Sequence, residues 1–166
     1  MSKVVIYPFR KYFPELFRKE KKRLSKILGA CKIEHFGSTA IGIEGKGIID
    51  MIIGFKNTSE VKKATKLLSS NGYFLADDKP GKNARIFLSN RKKESKLGDF
   101  HVHLVLEKSK EFKDAILFRD YLKKHSTAAR RYSFFKRKIA NMVDRPLYTK
   151  MKASFITKVI RSAQTP

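Results

Sequence analysis

Apolar residues that recur with a period of two predict the strands of this chain. Residues 48–55 are almost continuously hydrophobic, which is typical of a central strand covered on both faces, and Asp50 is their only acid. Residues 99–106 alternate strictly, so the phenylalanine, valine and leucine at even positions face one way and His101 and His103 face the other. Shorter strands are predicted at 33–36, 73–76 and 85–89, with polar turns at 77–83 and 90–98.

Apolar residues that recur every three or four positions predict helices on both sides of these strands. Pro14 suits the first turn of a helix that Gly29 ends, and Thr58 or Ser59 is expected to cap the next one. From Glu111 onward the chain is predicted to be helical, with one stripe formed by Ala128, Tyr132, Phe135, Ile139 and Met142. The pattern predicts an α+β fold with a small mixed sheet at about 33–106 and a C-terminal helical segment at about 111–163.

Length and composition suit one domain over residues 1–166. The chain is 42% hydrophobic and 32% charged, enough for a sizeable core and a charged surface. No apolar run approaches the ~20 residues that span a bilayer, and the first residues lack the apolar centre of a secretory signal, so no membrane contact is expected. Cys31 is the only cysteine, which excludes an internal disulfide and favours a reducing, cytoplasmic setting.

The net charge of +23 exceeds what solubility requires. The excess lies in the helical flanks: residues 107–166 hold 16 basic and 5 acidic residues, whereas residues 33–106 hold 12 and 8. Such an excess attracts polyanions such as RNA. A generally basic, solvated surface with no specific partner would give the same count.

The most distinctive chemistry lies between residues 34 and 55. Gly37-Ser38-Thr39 precedes a glycine-spaced turn, and Asp50 stands inside the apolar strand that follows. Glycine lets backbone amides approach a bound phosphate, and Ser38 or Thr39 can cap a helical turn. A carboxylate within a buried strand is costly unless it is paired or holds a metal. The alternative is an ordinary turn with a structural acid at a strand end.

Other candidate residues lie further along the chain. His101 and His103 share one strand face and can bind one metal or flank one phosphate, or they are strand residues with no such role. Arg119 stands at the edge of an apolar helical stripe, where it either reaches water or enters a site. Lys136 adjoins the stripe of the next helix.

These motifs together resemble the GrpB family, which is assigned to the nucleotidyltransferase-like superfamily. The resemblance covers nearly the whole chain and rests on EHFGSTAIGIEGKGIIDMIIG, FHVHLV, LFRDYLKKH, RRYSFFKRKIA and YTKMKASFI. It implies a nucleotidyltransferase-like sheet flanked by helices. It also implies that Gly37 and Ser38 hold nucleotide phosphates and that Asp50 is the first of the acids that carry divalent metals.

The sequence departs from the superfamily pattern at the second acid, because Ile52 occupies its place. On the later strand that would supply a third acid, the chain offers Asp99, His101 and His103. Mg²⁺ prefers oxygen ligands, whereas imidazole suits Zn²⁺, Mn²⁺ or Ni²⁺. In place of the usual two-metal arrangement, the residues are therefore compatible with one metal, a softer metal or none. Whether catalysis is retained therefore stays open at this point.

Two hypotheses follow. The first is a nucleotidyltransferase or nucleotide-binding protein that uses a nucleoside triphosphate and a divalent metal (Mg, Mn or Zn). In this first hypothesis, phosphate binds to Gly37, Ser38, Thr39, Lys46, Arg119 and Lys136. A metal ion or a transferred proton is bound by Asp50, His101 and His103. The second is a catalytically inactive fold whose basic helices bind RNA or another polyanion. The nearby Tyr12, Phe13, Tyr132 and Phe134 could add stacking, although most of these rings are expected in the core. The sequence does not indicate an oligomeric state.

Overall fold

The structure, a computed structural model, describes residues 4–79, 85–92 and 96–165, with no account of the side chains of 77–79. Along the chain the elements are α1 (Phe13–Leu28), β1 (Lys32–Phe36), α2 (Gly37–Ile41), β2 (Ile49–Phe55), α3 (Thr58–Ser69), β3 (Phe74–Lys79), β4 (Arg85–Ser89), β5 (Phe100–Leu106), α4 (Lys110–Lys124), α5 (Ser126–Met142) and α6 (Arg145–Gln164). The predicted α+β class is confirmed.

The five strands form one mixed sheet in the order β1-β2-β5-β4-β3. β2 and β5 run parallel at its centre, and the other neighbouring pairs are antiparallel. The near-continuous hydrophobicity of β2 is explained by this central position, because residues on both faces of β2 are buried. The register places Asp50 directly beside His101, and Ile52 beside His103.

The two faces of the sheet bury different helices. Met51 and Val102 lie in the main core with Phe13 and Leu24 of α1 and with the inward residues of α3. On the opposite face Ile52 packs with Val105 and Phe112 against α4. Helices α4, α5 and α6 share a further apolar cluster beyond the sheet, and α5 and α6 share another with Val4 and Ile6. No helix among the described residues is long and apolar enough to cross a membrane.

Several predicted details are wrong at element ends. The cap of α3 is Asn57, whose side chain accepts from the amide of Glu60 at 2.9 Å, because the helix begins at Thr58 itself. β3 continues to Lys79 through pairing with β4, so the predicted turn does not start at Asp77; residues 80–84 lie outside the described residues. Met142 ends α5 with 68% of its surface exposed, so it does not belong to the inward stripe.

Candidate functional site

A narrow polar cleft lies where the two halves of the fold meet, the sheet with α2 on one side and the C-terminal helices on the other. Its walls come from the start of α2, the loop before β2, the central strands and the helices α5 and α6. The side chains that line it include Ser38, Lys46, Asp50, His101, Lys136, Tyr148 and Lys152. Its volume is about 100 Å³, which suits a phosphoryl group with water and is smaller than the about 300–1,000 Å³ of pockets for whole small molecules.

Gly37 explains why the glycine-serine turn sits against the acid. Its φ of +74° belongs to the left-handed region, and a Cβ at this position would lie 2.6 Å from Asp50 Oδ2. A side chain would therefore collide with the carboxylate. The expected capping role of Ser38 or Thr39 is wrong: α2 begins at Gly37, and its cap residue Phe36 makes no side-chain cap bond. Ser38 instead turns its hydroxyl toward the cleft.

Lys136 is almost fully buried, with 1% exposure, and spans the cleft from α5 to α2. Its ammonium donates to Ser38 Oγ at 2.6 Å and to the carbonyl of Glu44, and it lies 4.7 Å from the centre of the Tyr132 ring. Burial, reinforced by the charge of Lys152, lowers the pKa of Lys136 to about 7. From sequence Lys136 was expected to bind phosphate, but its burial against Ser38 was not predicted.

Asp50 and His101 form the acid-imidazole pair of the cleft. Because parallel β2 and β5 place them side by side, His101 Nδ1 lies 3.6 Å from Asp50 Oδ1. Burial would raise the pKa of Asp50, but contact with His101, together with the charge of Lys152, outweighs it and holds the pKa below its ordinary value. Asp50 is therefore a carboxylate at neutral pH.

His103 lies two residues further along β5, away from the cleft. Its ring stacks on Phe87 at 4.8 Å and meets the edge of Phe36 at 5.1 Å. Burial lowers its pKa to about 3, so the imidazole is neutral. Within the described parts of the chain, no three His, Cys, Asp or Glu side chains come close enough to hold a metal ion. The structure thus brings together Asp50 and His101 of the expected metal set and keeps His103 apart.

Thr39 is directed into the fold instead of toward the cleft. Its buried hydroxyl donates to the carbonyl of Ile48 at 3.0 Å and lies 3.0 Å from His35 Nε2. Since the hydroxyl proton is already used, His35 Nε2 is the donor of that second bond. Burial lowers the pKa of His35 to about 4, which agrees with a neutral ring. This bracing by His35, whose ring stacks on Phe17, was missed from sequence.

Arg119 was expected at the phosphate, and the structure places it elsewhere. Its guanidinium donates to Glu34 Oε2 at 2.7 Å, to the carbonyl of His35 at 2.9 Å and to Asp120 Oδ1 at 2.7 Å. Two carboxylates already balance its charge, so little attraction remains for a phosphate. Helical periodicity could not show that Glu34, from β1, would meet this side chain.

The charges that line the cleft favour an anion. Three lysines, Lys46, Lys136 and Lys152, surround one carboxylate, Asp50. Lys152 and Tyr148 were missed because they lie about a hundred residues beyond Ser38 and one turn apart on α6, where Tyr148 counted only as an apolar position. Of the described side chains in the cleft, a divalent cation could bind only the carboxylate of Asp50, with His101 beside it. Phosphate oxygens of a bound ligand would have to complete its coordination.

Comparisons with known proteins identify the family of the chain. The family described as GrpB protein matches residues 3–162. The glutamate-rich protein GrpB of Alkalihalophilus pseudofirmus is 29% identical over 165 residues, which cover 96% of this chain and 95% of that protein. The UPF0157 protein YqkA of Bacillus subtilis is 30% identical over 141 residues, but this match covers only 40% of YqkA and 83% of this chain.

Solved structures show the same fold. The conserved protein GrpB from Enterococcus faecalis superimposes with a TM-score of 0.82 at 25% identity, over 96% of both chains. The Cid1 poly(U) polymerase superimposes with a TM-score of 0.55 at 13% identity, over 76% of this chain and 41% of Cid1. The second likeness concerns the fold alone. The chain belongs to the GrpB family and has its nucleotidyltransferase-like fold.

Proposed function

We propose that the protein binds a nucleotide through its phosphates in the cleft beside Asp50, as a nucleotidyltransferase-type protein. The observation that carries the proposal is the excess of cations: three lysines face one carboxylate, and Lys136 already holds the hydroxyl of Ser38. Ammonium groups and hydroxyls are the donors that phosphate oxygens accept from. The likeness of the fold to Cid1, whose structures include MgGTP bound, supports a nucleotide as the source of the phosphate.

In this proposal Ser38, Lys46, Lys136 and Lys152 bind the phosphate chain. The volume of about 100 Å³ leaves no room for a base and sugar as well, so these lie outside the cleft. Gly45 keeps the loop close, because a Cβ there would lie 2.8 Å from the Cβ of Ser38. The loop is held by Tyr7, whose amide donates to the Gly45 carbonyl at 2.7 Å.

Asp50 and His101 are the groups that can move a proton. In nucleotidyl transfer the oxygen of an acceptor hydroxyl bonds to the α-phosphorus and the bond to the pyrophosphate oxygen breaks, while the hydroxyl proton leaves. In our proposal the Asp50–His101 pair accepts that proton. A divalent metal (Mg, Mn or Zn), if one is bound with the nucleotide, would be held by Asp50 with His101 beside it and would polarise the phosphate.

The position of Ile52 favours a second candidate, a nucleotide- or RNA-binding protein without transfer. Ile52 is 3% exposed and packs with Val105 and Phe112, so the place of the second superfamily acid is part of the apolar core. A carboxylate there would be buried among apolar groups. The lysines would then hold the anion without chemistry.

Calorimetry with ATP, CTP, GTP and UTP, each with Mg²⁺, Mn²⁺, Zn²⁺ or EDTA, tests the proposal. We expect at least one nucleotide to bind, and Lys152→Gln to weaken its affinity about tenfold through loss of one charged contact. Lys150→Gln removes an exposed lysine from the same helix and serves as the control. If no nucleotide and no tripolyphosphate binds, the proposal is wrong. If nucleotides bind but no nucleotide is transferred to RNA and no pyrophosphate is released, the second candidate is favoured.

A further inference from the structure

A second depression, separate from the phosphate cleft, lies on the helical side of the molecule. It opens between the end of α4, the first half of α5 and the segment after α2, with a volume of about 540 Å³. Its floor is apolar and is formed by Ile41, Ile43, Leu122 and Ala129, which belong to the core shared by the C-terminal helices. We call this depression the α5 groove.

The rim of the α5 groove is basic. Lys123, Arg130 and Arg137 line it, together with the hydroxyls of Ser126 and Ser133, and no acid is among its described lining residues. Arg137 is paired with Glu44 at 3.0 Å, whereas the described contact of Arg130 is a hydrogen bond to the neutral hydroxyl of Thr127 at 3.3 Å. An apolar floor with a cationic rim is complementary to a ligand that has flat apolar faces and negative charge.

Phe134 stands at the edge of the α5 groove with 62% of its surface exposed. On α5 it follows Arg130 by four residues and precedes Arg137 by three, so the ring and both guanidiniums share one helix face. An exposed ring between two cations is the arrangement on which nucleic-acid bases stack while their phosphates bind the flanking charges. A membrane would instead require a broad apolar face, and an acidic peptide would leave the exposed ring without a stacking partner.

We propose that the α5 groove binds single-stranded nucleic acid, with a base stacked on Phe134 and phosphates on Lys123, Arg130 and Arg137. The groove and the phosphate cleft use opposite sides of α5, since Lys136 faces the cleft and Phe134 faces the groove. Binding in the α5 groove does not require the cleft to bind or transfer a nucleotide. Such binding would give the basic residues of the C-terminal helical segment a specific role at one defined surface.

Fluorescence anisotropy with a labelled 15-nucleotide U strand and the matching dT strand tests the groove. We expect Phe134→Ala to weaken binding about tenfold, because one stacked base is lost. Tyr12→Ala, which removes another exposed ring (47%) far along the chain, should change affinity less than twofold. If Phe134→Ala loses the same affinity for both strands, the groove binds single-stranded nucleic acid in general. If the loss of affinity is greater for the U strand, the groove prefers RNA.

A charge-matched pair of double variants separates the groove from the net charge. Lys123→Gln with Arg130→Gln should make the negative slope of log K against log salt less steep by about 1.4, because each lost phosphate contact contributes about 0.7. Lys22→Gln with Lys26→Gln, on exposed positions of α1, should leave the slope nearly unchanged. If both double variants lose the same affinity, or if anionic vesicles bind and the strands do not, the proposal is overturned.

Discussion

At the scale of the residue, Lys136 lies in an unusual environment for a lysine, with 1% of its surface exposed. Its ammonium is buried between a hydroxyl, a carbonyl and a ring, and no carboxylate contacts it directly among the contacts described. The neutral form is therefore favoured relative to a lysine in water. A bound phosphate would bring a compensating negative charge and would favour the protonated form. Anion binding and protonation of Lys136 are linked.

We predict that Lys136 makes stability rise with pH above neutrality. Its pKa is about 7 in the folded protein and 10.5 ordinarily, so between these values the unfolded chain binds a proton that the folded chain has released. The wild type should gain up to about 1.4 kcal/mol per pH unit in this window relative to Lys136→Met. Below pH 7 both states are protonated and the difference should be flat. Urea unfolding of both proteins at pH 6, 8 and 9.5 measures it, and parallel curves would contradict the prediction.

The two histidines of β5 should differ in function. His101→Ala removes a cleft residue beside Asp50, and we expect at least a fivefold loss in metal-dependent nucleotide affinity. His103→Leu should leave that affinity within twofold, because the ring lies between Phe36 and Phe87. Calorimetry with Mn²⁺ and the best-binding nucleotide compares the variants. An equal loss in both would show that His103 does reach the metal.

At the scale of the element, the junction of β1, α2 and β2 is fixed by backbone geometry. Gly37 has a left-handed backbone and no space for a Cβ, and Thr39 holds the start of β2 through the Ile48 carbonyl. The turn therefore determines where the Asp50 carboxylate lies relative to Ser38. A change in this turn should alter stability and the site together.

Gly37→Ala should destabilise the protein by about 2–4 kcal/mol. Roughly 1–2 kcal/mol comes from the left-handed backbone, and the rest comes from collision with Asp50 Oδ2. In the background of Asp50→Ala the collision is removed, so the same substitution should cost only the backbone part. A double-mutant cycle by chemical denaturation measures the coupling. A cost that does not change with the background would show that the carboxylate is not in contact with residue 37.

Local patterns predicted the elements well and their environment less well. The period-two alternation at residues 99–106 and the apolar run at 48–55 identified β5 and β2, because side-chain periodicity depends only on local geometry. The end of β3 depended on pairing with β4, which no local pattern contains. Ser38 and Asp50 could be selected from their motif. Lys152 and the carboxylates around Arg119 could not, since they come from distant segments.

At the scale of the whole molecule, polar contacts join the sheet to the C-terminal helices. Lys136 reaches α2, Arg137 reaches Glu44, and Arg119 binds Glu34 and the carbonyl of His35 in β1. The cleft exists only where these two halves are held together. Ligand binding should therefore stabilise the contact between the halves as well as the site.

Arg119→Met should lower the free energy of unfolding by about 1–3 kcal/mol, because Glu34 and a backbone carbonyl would lose a charged donor. Nucleotide affinity should remain within twofold, since the guanidinium lies outside the cleft lining. Thermal and urea unfolding measure the first effect, and calorimetry measures the second. A large loss of affinity without loss of stability would restore the earlier expectation that Arg119 contacts phosphate.

Glu44 contacts two neighbouring residues of α5, one through its backbone and one through its side chain. Its carbonyl accepts from Lys136 on the cleft side, and its carboxylate pairs with Arg137, which lines the α5 groove. This one residue thus holds one basic side chain of each depression. Substitution of Glu44 by glutamine would remove the charged partner of Arg137 in the α5 groove and leave the carbonyl that Lys136 uses in the cleft, so the charge of the groove could be changed without altering the cleft.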